Sequence, residues 1–199
     1  MTSNKDFYID NKSKFASEIE SVKSLNRRLS LLRLLFFVLI IISVIVGIVN
    51  KLGPVTYVIA GVFLAIFIYL CIKHGKSQRR EIHLNNLILV IDRYLARIDG
   101  DFSKLTDKGE EFEEVGHDYS NDLDVFGNVS LFSLYNLSAT AWGRREFAKA
   151  LLGKKDYSNQ ELLSRQKSCD ELVNNLEMLM EYEACAMEGK STKMPSALI

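Results

Sequence analysis

Residues 34–72 form a stretch of 39 with one charged side chain, Lys51. So long an apolar stretch has no place on the surface of a 199-residue chain, and the remainder is too small to bury it, so the sequence predicts a membrane segment and not a wholly soluble protein. The run splits at Asn50-Lys51-Leu52-Gly53-Pro54. Each side, 31–49 and 55–72, reaches about 27–29 Å at a helical rise of 1.5 Å per residue, close to the roughly 30 Å of a bilayer's hydrocarbon. Gly and Pro end a helix, and five residues join only neighbouring antiparallel helices, so a two-span helical hairpin is expected over 34–72.

Charge sets the expected orientation. Lys23, Arg27, Arg28 and Arg33 precede the first span, with Arg33 reaching back to the headgroups, and Lys73, Lys76, Arg79 and Arg80 follow the second. The positive-inside bias therefore puts both termini in the cytoplasm of a multi-pass protein of the inner membrane. A cleaved signal peptide does not fit, because a charged segment of more than 30 residues precedes the apolar run and a second span follows at once. In a reducing compartment Cys71, Cys169 and Cys185 are expected as free thiols, and the sequons at Asn11, Asn128 and Asn136 as chance. His74, His83 and His117 show no metal-ligand spacing.

The flanks are helical by period. Phe15, Ile19, Val22, Leu25, Leu29 and Leu32 recur at helical steps within residues 1–33, and Leu84, Leu87, Ile88, Ile91, Tyr94, Leu95 and Ile98 repeat the pattern in 73–100. Two arrangements suit them: an antiparallel pair continuing the hairpin, or a first helix lying on the headgroups. Residues 101–121 belong to an acidic stretch, with nine acidic and two basic groups over 101–124, expected as a solvated connector. The spacing of Asp122, Asp124 and Gly127 suggests a calcium loop but fails, since Phe126 and Ser133 fall on ligand positions.

Beyond it, residues 122–199 read as helices: Ser130 caps a short one with Leu131, Phe132 and Leu134, Thr140 caps a second ending at Gly153, and Ser158 with Glu161 forms a capping box for a third that extends to Gly189. No strand alternation of useful length occurs. The fold class is all-α.

In this segment DLDVFG at 122–127, SLFSLYN at 130–136, Thr140-x-x-Gly143-Arg144, the pair Leu151 and Leu152, Arg165-Gln166 and Glu171-Leu172 follow one another in an order that resembles the start of the helical core (lever) domain of the MutS family of DNA mismatch repair ATPases. With the hairpin before it, the layout resembles the membrane-associated bacterial branch of that family. The resemblance implies an anchor followed by a partial core domain. It makes Asp122, Leu123, Asp124, Phe126, Gly127, Thr140, Gly143, Arg165 and Gln166 structural, with Gly143 admitting close helix approach. It places ATP and Mg in a domain of the parent protein outside these residues, along with any homodimer contact. No catalytic group, cofactor site or metal site is expected in this chain.

Two short matches carry no chemistry. Gly189-Lys190-Ser191-Thr192 copies the end of a phosphate loop, but Ala184 stands where the first glycine is required and a helix precedes it in place of a strand. Phe112-Glu113-Glu114 matches the F-x-E of mismatch readers, in an acidic context without the recognition domain. For DNA, the one basic cluster is Arg144, Arg145, Lys149, Lys154 and Lys155, which suits either phosphate contact or a solvated helix face offset by Glu146 and Asp156. Trp142 and Tyr135 suit base stacking, but are expected in the core. The competing function is a small membrane-tethered helical scaffold for a protein partner, with no ATPase.

Overall fold

The computed structural model describes residues 2–49 and 55–189. Every element there is helical: α1 (Thr2–Val49), α2 (Val55–Asp99), 3-10 turns at Phe102–Lys104 and Glu110–Phe112, α3 (Leu131–Tyr135), α4 (Ala141–Leu151), α5 (Asn159–Val173) and α6 (Leu176–Glu188). Each of α1 and α2 runs unbroken from its charged flank into its apolar run, with no interior proline to interrupt it. Residues 50–54, the expected hairpin turn, and Lys190, Ser191 and Thr192 of the phosphate-loop match lie outside the described residues. The chain divides into two compact units, residues 14–85 and residues 1–13 with 86–199.

The first unit is an antiparallel pair of helices. Among its less exposed positions on α1, Phe15, Ile19, Val22, Asn26, Leu29, Arg33, Phe36, Ile40, Ser43 and Gly47 form a stripe with alternating steps of four and three, flanked by Glu18, Lys23 and Leu39. On α2 the matching stripe is Thr56, Ala60, Phe63, Phe67, Leu70, His74, Ser77, Glu81 and Leu84, with the same alternation, flanked by Ile66, Cys71, Gly75 and His83. A mean period of 3.5 is the seam of a left-handed coiled coil. The seam replaces two residues of the stripe read from sequence: Leu25 and Leu32 are 40% and 41% exposed, and Asn26 and Arg33 point inward instead. Cross-seam contacts fix the pairing. Arg80 donates two hydrogen bonds to Glu18, Asn26 donates to Glu81 at 2.6 Å, and ring centroids of Phe36 and Phe63 lie 6.0 Å apart.

Both helices are long and apolar enough to cross a membrane. Only 6% of the most apolar 18-residue window in either is buried, whereas the core helix of a soluble protein would be mostly covered. Where Val49 ends α1 and Val55 begins α2 the backbones approach closely: a Cβ on Gly47 would sit 3.3 Å from Thr56 Cβ. Disulfides join Cβ atoms about 3.5–4.5 Å apart, within a few tenths of an ångström of this separation. The double substitution Gly47→Cys, Thr56→Cys is therefore expected to crosslink under mild oxidation, read as the loss of two hydrogens in the intact mass. Failure to crosslink would contradict the pairing.

The second unit gathers residues 2–13 and 86–189 around a different core. Tyr8 stacks on Tyr94, with centroids 5.1 Å apart and planes at 10°, and Lys12 and Lys5 pair with Asp92 and Asp99. Leu87, Val90, Ile91 and Ala96 of α2 are almost wholly buried, while Ile98 of the predicted stripe is 44% exposed. Val90 and Ala96 fall outside that stripe. They are covered because the unit packs on more than one face of α2: Arg93 meets Glu183 of α6, and Arg97 donates to the carbonyls of Leu134 and Asn136.

The predicted caps form. Ser130 accepts from Ser133 N, and Ser133 answers from its own hydroxyl; Thr140 accepts from Gly143 N; Ser158 and Glu161 make the reciprocal box. The single helix expected from Ser158 to Gly189 does not. It stops at Asn174 and Asn175, whose side-chain amides bond back to the carbonyls of Asp170 and Glu171. Such back-bonding gives the chain an alternative to helical continuation, and α6 restarts at Leu176.

Candidate functional site

The acidic stretch is packed, and this corrects the expectation of a solvated connector. Leu105, Ser120 and Val125 are buried, and Asp107 is gripped by Arg144 through two bonds of 2.7 Å, one to each carboxylate oxygen. Arg144 also reaches Glu111, and its guanidinium lies 5.5 Å above the Phe112 ring. Asn136, 1% exposed, donates to Asp107 at 2.8 Å. Tyr119 donates to the Leu151 carbonyl at 2.9 Å, and Lys154 pairs with Glu114. Acidic charge here is matched across 30 to 40 residues of sequence, which a local count misses.

Beneath this layer lies an aromatic cluster. Phe132, fully buried, has Phe147, Phe126 and Phe112 at centroid distances of 5.5, 5.6 and 5.8 Å. Gly109 makes that approach possible: its φ is +66°, and a Cβ there would come within 2.6 Å of the Phe132 ring. Phe112 is half-buried, with its ring tilted against Phe126 and Phe132 and the Arg144 guanidinium over it. Trp142 and Tyr135, expected in the core, are 53% and 62% exposed, because α4 and the short α3 turn other residues, Ala148 and Phe132, toward it.

The remaining motif residues are placed one by one. Phe126 joins the cluster, while Asp122, Asp124 and Leu123 are exposed, Asp124 with φ +46°. Gly143 lets the chain close on the preceding loop, not on another helix: its Cβ position meets Ser138 at 3.1 Å. Arg165 stacks on Tyr157 at 4.2 Å and Gln166 is exposed, both on α5. Gly127, at φ +111°, donates from its backbone to the Lys108 carbonyl. The phosphate-loop position held by Ala184 is fully buried in α6.

Of the five cations proposed for DNA, four hold carboxylates. Besides Arg144 and Lys154, Lys155 and Lys149 share Glu146, whose carboxyl they draw down to about 2 through hydrogen bonds from Lys155 first and Lys149 second. Arg145 lines a cleft of about 420 Å³ with Glu111, Phe112, Glu113, Glu114 and Lys149. The patch is a mixed-charge surface. No protein-family profile, curated protein or solved structure matches this chain.

The chemistry of the Arg144 clamp is structural: it ties residues 107–112 to α4. A lysine has no planar fork to bridge both Asp107 oxygens or to lie over Phe112. Arg144→Lys is therefore expected to cost about 1.5–3 kcal/mol, the usual worth of hydrogen bonds to a charged group. Urea unfolding of the full chain in nanodiscs, followed by Trp142 fluorescence, would measure it; a stability equal to the parent chain would refute the clamp.

Proposed function

We propose that this chain is the membrane-anchoring amino-terminal part of a MutS-like ATPase of the bacterial inner membrane, whose parent couples ATP and Mg binding to DNA binding. In this reading residues 14–85 are the tether, with both chain ends on the cytoplasmic side, and the helical core begins at residue 122. The observation that carries it is α5. None of its 15 residues is buried, and Leu162, Leu163 and Val173 are 43%, 66% and 60% exposed. A helix of this length is marginal in water without a covered apolar face, so more protein is expected over it, where the resemblance puts the rest of the core.

Two measurements test the proposal. The coding sequence downstream of codon 199 is expected to encode a strand followed by GxxxxGK[ST]; a stop codon with no such domain sinks the ATPase reading. Cys169, exposed on α5, reports topology: in a Cys71→Ser, Cys185→Ser background a membrane-impermeant maleimide is expected to label it only after the inner membrane is permeabilised.

A second reading, a membrane-tethered scaffold for a protein partner, is favoured by the ion pairs at residues 144–155. Cations already bonded to carboxylates contribute little to the counterion release that drives DNA binding.

A further inference from the structure

Residues 21–80 contain no aspartate or glutamate and nine basic residues. The acids that bracket this stretch are engaged: Glu18 with Arg80, Glu20 with Lys23, and Glu81 with Asn26. Arg33 is left in an unusual position. It occupies the seam between the two helices, one residue before the first apolar run begins, and its Nε is buried without a hydrogen-bond partner. Buried donors are almost always paired, and a guanidinium presents a rigid fork matched to a phosphate.

Beside it is a cleft of about 260 Å³ lined by Ser30, Arg33, Leu34, Phe37 and Phe67. Its lining is graded along α1. Ser30 and Arg33 lie at the charged end, and Phe37, with Phe67 opposite at 6.2 Å, lies one turn into the apolar run. We propose that this cleft binds one anionic phospholipid, its phosphate on the Arg33 guanidinium and the Ser30 hydroxyl, its acyl chain along Leu34, Phe37 and Phe67. Arg27, Arg28, Lys73, Lys76 and Arg79 are exposed, and among the described residues none pairs with a carboxylate. They surround the cleft's level on both helices with positive potential, which concentrates anionic headgroups there. The inference rests on the membrane reading of residues 14–85.

The test uses the full chain, delipidated in mild detergent and offered equal amounts of phosphatidylglycerol and phosphatidylcholine before native mass spectrometry. One phosphatidylglycerol per chain is expected to survive, favoured about tenfold or more. Arg33→Gln is expected to abolish that preference and Lys167→Gln, an exposed cation of α5, to leave it. Carrying the Gly47→Cys, Thr56→Cys crosslink in both the parent and the Arg33→Gln chain keeps the hairpin paired, so the loss reports the site. Excess inorganic phosphate is expected not to displace the lipid; displacement would overturn the assignment to a lipid. Equal retention of the two lipids, or a preference untouched by Arg33→Gln, would also overturn it. Extraction of the chain from vesicles by alkaline carbonate marks the different failure, that of the membrane reading itself.

Discussion

Replacing Arg93 with leucine is expected to destabilise the unit of residues 86–189 by about 3–5 kcal/mol, the range for removing one partner of a buried ion pair. Arg93 Nη1 donates to Glu183 Oε1 at 2.7 Å, and the Glu183 side chain is only 5% exposed. Its second oxygen, Oε2, has no hydrogen-bond partner. Burial raises the Glu183 carboxyl above its ordinary 4.5, with Arg93 pulling the other way. The same burial, with the Glu183 charge, pushes Tyr94 up to about 12. A leucine would leave the carboxylate buried without its one charged donor.

The pH dependence separates this cause from simple loss of packing. A folded-state value above the ordinary one means that the folded chain holds the proton more tightly. The burial cost is then present in full above the folded value and is relieved as pH falls toward 4.5. Removing Arg93 raises the folded value further, so the deficit of Arg93→Leu should shrink on acidification. Urea titrations in nanodiscs at neutral pH and near 5 measure both terms. A deficit independent of pH would mean that Glu183 is not the source.

Phe132→Ala is expected to cost a further about 3–5 kcal/mol, as large-to-small changes of fully buried aromatics do. Phe132 is the hub on which Phe112, Phe126 and Phe147 converge, and its ring fills the space that Gly109 leaves open. Collapse into the cavity is opposed from two sides. Gly109 at φ +66° is set by its turn, and the backbone of Phe132 is tied to the Val125 carbonyl at 2.9 Å. Amide exchange at Phe132 and Asn136 is expected to accelerate with the loss of stability, while exchange within residues 56–84 is unchanged. Unaltered protection at Asn136 would show that the acidic stretch does not depend on the cluster.

The local features were legible and the long-range ones were not. Ser130, Thr140 and Ser158 cap helices because a cap needs only the next three residues, all visible in sequence. The apolar helices announced themselves by length. The acidic stretch misled because Asp107 and Glu114 find their cations at Arg144 and Lys154, far along the chain. The hairpin stripe misled because apolar Leu25 and Leu32 outrank Asn26 and Arg33 in any hydropathy count, yet the 3.5 period shared by both helices decides which side faces the seam. Trp142 shows that aromatic character alone does not bury a residue when its helix turns Ala148 inward. Among the sequence-proposed site residues, Arg144 proved the most connected, through Asp107, a partner that no motif contains.

The joint between α5 and α6 gives the molecule a handle. Asn174 and Asn175 close the end of α5 with their own side chains, so its length does not depend on α6. No residue of α5 is buried, so Leu162, Leu163 and Val173 add little to the core, and the helix is held at its ends by the Ser158 and Glu161 box and by the two asparagines.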